Sequence, residues 1–168
     1  MDSLSAMLSV VIPFRGESAK SRLGRPELAK AMLADVLAAA GEVGEPVVAN
    51  GVGGQGEAVA AALAGLDGPV LVLNADLPCA TADDLRALLA ATPEDGTAIV
   101  AAEDGTTNAI SLSRAGLFEP LYGPGSAERF RARGAAVVSI PNLEDDVDTA
   151  DDLARVRARV GAHTRGAL

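Results

Sequence analysis

Aromatic residues make up only 2% of this 168-residue chain, with no Trp, and it carries one cysteine and one histidine. Its core must therefore be aliphatic, and its many Ala and Gly residues let elements approach closely, which favours α/β packing over a β-sandwich. Cys79 has no second cysteine to pair with, and no charged stretch followed by a long apolar run opens the chain, so a reducing, cytoplasmic setting is expected. His163 lies far along in the polar C-terminal stretch, which leaves Cys79 better explained as a small buried residue than as a nucleophile. Cations are scarce too: 14 Lys and Arg against 23 Asp and Glu leave a net charge of −9, which argues against a nucleic-acid surface. No apolar run is long enough to span a bilayer, so no membrane partner is expected.

What the chain does have is a short apolar run cut off by an acid. Pro69-Val70-Leu71-Val72-Leu73-Asn74-Ala75-Asp76-Leu77-Pro78 reads as a central parallel strand covered on both faces, with Asp76 at its carboxyl end. In open α/β sheets that end faces the ligand crevice, so Asp76 is a candidate metal or substrate contact. A helix cap, supplied by Asp76 or by Thr81, explains the same stretch equally well.

The remaining pattern alternates strands and helices. Leu8 to Pro13 reads as a first strand, and Arg15, Lys20, Arg22 and Arg25 follow it in a basic segment, the layout of a phosphate site. The glycine spacing of a Walker A loop or a dinucleotide fingerprint is absent. Glu27 to Ala40 has helical period, Pro46 to Asn50 is a short strand, and the Gly-rich run Gly51 to Glu57 either wraps a ligand with its backbone or merely connects. Thr81 with Asp84 starts a helix in a near capping box, as Thr149 does with Asp152. Thr97 to Ala102 is a strand, residues 103 to 108 a polar turn, and Ala109 to Leu112 apolar again. A second polar turn, Leu121 to Ser126, leads into a helix over Ala127 to Arg133, and Ala135 to Ile140 is the last strand. Asp148, before the Thr149 cap, is an acid that capping does not explain. One domain is expected over residues 1 to 160, with 161 to 168 a flexible tail.

In this order, Val11-Ile12-Pro13-Phe14-Arg15, Ala19-Lys20-Ser21-Arg22-Leu23, Ala75-Asp76-Leu77-Pro78, Gly105-Thr106-Thr107-Asn108-Ala109, Tyr122-Gly123-Pro124-Gly125-Ser126 and Asp146-Val147-Asp148-Thr149 resemble one family. It is the 2-phospho-L-lactate/phosphoenolpyruvate guanylyltransferases of coenzyme F420 biosynthesis. The resemblance implies a single-domain, doubly wound α/β fold of the GT-A-like, nucleotide-diphospho-sugar transferase kind, with a mostly parallel sheet and helices on both faces. It implies transfer of GMP from GTP to the phosphate of a small three-carbon phospho-acid, with pyrophosphate released. It also implies Mg²⁺ on Asp76 and Asp148, Lys20 as a further catalytic group, and nucleotide contacts from Arg15, Lys20, Arg22, Gly54, Gln55 and Gly56. Acceptor contacts would come from Thr107, Asn108, Gly123 and Ser126, and a homodimer is conceivable. Three departures stand out: Arg15 replaces the family's lysine, Gly54-Gln55-Gly56 stands for the family's Gly-Leu-Asn after a shortened segment from Asn50, and Ala127-Glu128-Arg129-Phe130-Arg131 stands where the family has a histidine. A molybdenum-cofactor guanylyltransferase, a sugar-phosphate nucleotidylyltransferase and a non-catalytic nucleotide-binding module are the alternatives.

Overall fold

A computed structural model describes residues 7–14, 23–50 and 53–168. The basic segment holding Arg15, Lys20 and Arg22 lies outside the described residues. The first half of the chain runs β1 (Ser9–Pro13), α1 (Pro26–Gly41), β2 (Glu45–Ala49), α2 (Gln55–Leu63), β3 (Val70–Leu73) and α3 (Ala82–Ala90). The second half runs β4 (Thr97–Ala101), β5 (Thr107–Leu112), α4 (Ser126–Ala132), β6 (Ala136–Val137), α5 (Pro141–Glu144), α6 (Ala150–Val156) and α7 (Ala162–Gly166).

The six strands form one sheet in the order β2-β1-β3-β5-β4-β6. Strand β1 pairs in parallel with both β2 and β3, β6 is parallel to β4, and β5 runs antiparallel between β3 and β4. The expected strand β3 is therefore central and fully buried, but it has a parallel neighbour on one side only. The connection from β4 to β5 is the cause. A parallel return needs a crossover of a dozen or more residues, and only residues 102–106 join these strands. Gly105 turns there with φ 86°, and the Asp104 carboxylate accepts from the Thr106 N–H and hydroxyl. Thr107 and Asn108, expected in the polar turn, are in fact the first two residues of β5 and are buried.

Side chains alternate across the pleat, so each strand feeds two cores. Val10, Ile12, Leu71, Leu73, Ala98, Val100 and Ala109 face α1, α3 and α5, and pack on Val36, Leu85, Leu88 and Leu143. Val11, Val70, Val72, Ile99, Ile110 and Leu112 face the other way, onto Val59 and Leu63 of α2 and Phe130 of α4. The reversal of strand order at β1 puts α1 and α2 on opposite faces, which is the doubly wound arrangement. Both expected capping boxes form: Thr81 and Thr149 each accept from the N–H three residues on, and Asp84 and Asp152 reach back.

A third apolar cluster joins Leu28 and Met32 of α1 to Cys79, Val147, Leu153, Val156 and Val160. Cys79 is buried as expected, and burial raises its thiol pKa. The segment after residue 160, expected as a flexible tail, forms α7 instead. Asp35, buried on α1, accepts from the backbone N–H groups of His163 and Thr164 at 3.0 and 2.9 Å, supplying from another helix the cap that α7 lacks locally. Gly161 permits this approach, because a Cβ there would run into the Asp35 carboxylate. No sequence pattern local to residues 161–168 carries that acceptor. Replacing Asp35 by Ala leaves two helix donors without their acceptor, and urea unfolding should show a loss of about 1 to 2 kcal/mol. An unchanged midpoint would mean that the docked helix adds nothing to stability.

Candidate functional site

Strands β1, β2, β3 and β4 all end at one edge of the sheet, and antiparallel β5 begins there. Because β2 and β3 flank β1, their connections diverge at this edge and open a crevice, the place where such sheets bind ligands. A cleft of about 810 Å³ lies there. Its walls come from Phe14 after β1, Gly54 to Ala58 at the start of α2, Asn74 to Asp76 after β3, and Pro120, Tyr122 and Gly123. Gly56 lets two walls meet, since a Cβ at that position would lie 2.8 Å from the Pro120 side chain. Tyr122 is partly buried, packed against Phe118 and Phe130, and desolvation raises its phenol pKa. It shapes the cleft and does not titrate near neutrality.

Beside the cleft stands an acidic cluster. The Val147 N–H donates to the Asp76 carbonyl at 3.0 Å, which fastens the acidic turn to the end of β3. Val147 is fully buried, so its neighbours Asp146 and Asp148 turn the other way, as alternation in extended backbone requires. One carboxylate oxygen from each of Asp76, Asp146 and Asp148 lies within 4.8 Å of the others. The Asp148 and Thr149 N–H groups donate to Asp152, so the capping box behind the cluster sets its backbone. Burial first, and the charge of Asp76 next, push the Asp146 carboxyl up to about 6; the Asn108 amide opposes this and Asp148 adds to it. Three hard oxygens gathered at this spacing suit a divalent cation, which would relieve their mutual repulsion.

The residues singled out from the sequence divide into three groups. Gly54, Gln55, Gly56, Asp76 and Gly123 line the cleft, and Asp148 joins Asp76 in the acidic cluster. Thr107, Asn108 and Ser126 stand behind the wall: the Thr107 and Ser126 hydroxyls bond each other at 2.8 Å, both buried, and Asn108 donates towards Asp146 at 3.2 Å. Arg15, Lys20 and Arg22 belong to the segment not described.

Sequence reasoning missed Asp146, Asn74 and Arg129. The two-residue period of Asp146-Val147-Asp148 around an apolar residue was the available signal for the first. Arg129 donates to the carbonyls of Leu121, Tyr122 and Pro124 and so ties down the Gly123 to Ser126 turn, whose glycines adopt φ of 111° and 74°. Nothing in the spacing of Arg129 announces that task.

An α/β sheet with a crevice at its switch point and clustered acids beside it is suited to hold an anionic ligand together with a cation. The MobA-like NTP transferase domain model matches residues 24–137, and the chain belongs to that family. Two similar relatives are named phosphoenolpyruvate guanylyltransferase. The one from Nocardia farcinica is 40% identical over 85% of this chain, which spans 66% of that protein's length. The one from Rhodococcus jostii, designated 2, is 32% identical over 95% of this chain and 89% of its own. Among solved structures, a nucleotidyl transferase from Methanothermobacter superposes with a TM-score of 0.58 at 16% identity, covering 96% of this chain and 99% of that one. A 4-diphosphocytidyl-2C-methyl-D-erythritol synthase from Anaerococcus prevotii gives 0.57 at 15% identity, covering 92% and 98%. These bear out the fold class expected from the sequence. Among the described residues no helix is long and apolar enough to cross a membrane.

The raised Asp146 pKa carries a sign that can be measured. The folded protein holds this proton up to about 6, whereas the unfolded chain releases it near the ordinary carboxylate value of about 4. Stability of the metal-free protein should therefore fall as pH rises between these values and stay lower above them. In Asp146→Asn that decline should shrink, so that at pH 7.5 the metal-free variant is the more stable by about 1 kcal/mol, a figure already reduced for solvent screening. A divalent cation should raise the melting temperature of the unsubstituted protein more than that of the variant. Parallel melting curves at pH 4 and pH 7.5 would contradict the electrostatic account.

Proposed function

We propose that this chain is a guanylyltransferase, joining GMP from GTP to the phosphate of a three-carbon phospho-acid, phosphoenolpyruvate or 2-phospho-L-lactate, within coenzyme F420 biosynthesis. The observation that carries the reading is the acidic cluster Asp76, Asp146 and Asp148 beside a nucleotide-sized cleft. Its support is the identity to proteins named phosphoenolpyruvate guanylyltransferase over most of the chain.

The chemistry asks for little proton transfer. An acceptor phosphate oxygen is already anionic; it attacks the α-phosphorus of GTP, the α–β phosphoanhydride bond breaks, and pyrophosphate departs with the bonding electrons. What opposes the reaction is repulsion between anions and the charge growing on the leaving group. Asp76 and Asp148, with Asp146 beside them, would hold Mg²⁺. Bound there, Mg²⁺ would neutralise phosphate charge during transfer. Arg15, Lys20 and Arg22 are proposed to hold the triphosphate, a role suited to cations directly after β1. Gly54, Gln55 and Gly56 would take the base, and the turn at Gly123 the acceptor, with Thr107 and Ser126 bracing that turn from behind.

Pyrophosphate release from four nucleoside triphosphates, each offered phosphoenolpyruvate, 2-phospho-L-lactate, 3-phosphoglycerate, molybdopterin or a sugar phosphate, tests the reading. GTP with one of the first two acids should dominate. Turnover with molybdopterin alone would favour the other guanylyltransferase reading, for which the MobA-like family match is the supporting observation. Asp76→Asn should lower turnover by about a hundredfold or more while leaving the melting transition cooperative. Near-normal turnover in that variant would remove the metal assignment.

A further inference from the structure

We infer that Gln55 reads the nucleobase through its carbonyl oxygen, and that Asn74 and Asn108 are positioning residues that fix which pole of its amide the base meets. The inference deepens the guanylyltransferase reading and rests on it for the identity of the ligand.

Three side-chain amides stand in a row at the cleft, Gln55 and Asn74 in its wall and Asn108 behind it. The Asn108 nitrogen faces three oxygens, donating to the carbonyls of Leu143 at 3.1 Å and Glu144 at 3.2 Å and to Asp146 Oδ1 at 3.2 Å. The reverse orientation would set a carbonyl oxygen, which has no hydrogen to give, against all three. Two of those acceptors are backbone carbonyls and cannot become donors. Asn108 therefore turns its own Oδ1 to Asn74, whose Nδ2 donates to it at 3.2 Å and to the Thr107 carbonyl at 3.2 Å. That leaves Asn74 Oδ1 as an acceptor, and Gln55 Nε2 donates to it at 2.7 Å. Each orientation forces the next, so backbone carbonyls in α5 dictate the amide of a residue at the start of α2.

Gln55 lines the cleft. With one Nε2 hydrogen held by Asn74 Oδ1 the amide cannot turn over, so the pole away from Asn74 is Oε1, an acceptor only. Guanine presents N–H donors at N1 and the 2-amino group, which such an acceptor satisfies. Adenine presents an unprotonated N1 and would place lone pair against lone pair. Selectivity of this kind depends on the amide being unable to rotate, because a rotated Gln55 would offer its NH₂ to adenine instead.

Calorimetric affinities for GTP and ATP, with the kcat/KM ratio of the two nucleotides beside them, test the inference in the full chain. The unsubstituted protein should prefer GTP. Asn74→Leu, close in shape but unable to hold Gln55, should lower the GTP-over-ATP preference about tenfold, and Gln55→Leu by a similar factor. The double variant should lose no more than about twofold beyond either single one, since both remove one contact. Full additivity, or an unchanged preference in either single variant with an intact fold, would overturn the inference. If Asn74→Leu fails to fold, Gln55→Glu decides: it keeps only acceptors, so the preference for GTP should persist, and its loss counts against the inference. GTP-selective binding without pyrophosphate release would support this reading while the transferase reading failed. Turnover with GTP and ATP used equally by the unsubstituted protein would overturn this inference and the guanine preference with it, while nucleotidyl transfer to the phospho-acid stood.

Discussion

One backbone hydrogen bond, from the Val147 N–H to the Asp76 carbonyl, is what the acidic site depends on. It joins two segments that the chain brings together only after all six strands are laid down. Three carboxylates do not gather willingly; burial and like charge both oppose it, as the raised Asp146 pKa records. The fold compensates with neutral anchors that no charge can disturb. Val147 is fully buried, and the capping box of Thr149 and Asp152 holds the next residues from the other side. The acids are thus imposed on the site by apolar burial and backbone bonding, and a divalent cation would make the arrangement favourable.

The layers were largely legible in the sequence because they follow from hydrophobic period. Val70 to Leu73 is apolar at every position, as a strand covered on both faces must be, and the residues it sends to each side alternate as the pleat demands. The capping boxes were legible because a Thr and an Asp three residues apart act locally. The antiparallel insertion of β5 was not read, although the five-residue connection before it forbids a crossover. Counting that connection would have moved Thr107 and Asn108 from a turn into a buried strand. The docking of α7 had no local signal of any kind, because its acceptor, Asp35, sits on α1.

The site was legible in part, and the division is physical. Asp76 and Asp148 show themselves because a carboxylate at a strand end, or one that no cap explains, is out of place unless it binds something. Gly54, Gln55 and Gly56 were legible as a backbone able to pass close to a ligand. Groups that act on other groups leave no such mark: Arg129 works by filling three carbonyls of one turn, and Asn74 by standing between two other amides. Their roles exist only in three dimensions.

That distinction bears on how the cleft keeps its shape with few aromatic residues and no disulfide. An Ala-rich, aromatic-poor core provides smooth aliphatic packing but few directional contacts, so direction has to come from polar groups at the working edge. Neutral amides suit the task better than ion pairs would, since a charge placed behind three carboxylates would shift their ionisation. A row of amides carries orientation across the edge from α5 to α2 while adding no net charge. It also links the two ends of the cleft: the same Asn108 nitrogen that anchors the row contacts Asp146. A change at the acidic cluster that displaces Asp146 would therefore reach Gln55 through three hydrogen bonds, and on the proposed reading nucleobase selection and cation binding would share one mechanical frame.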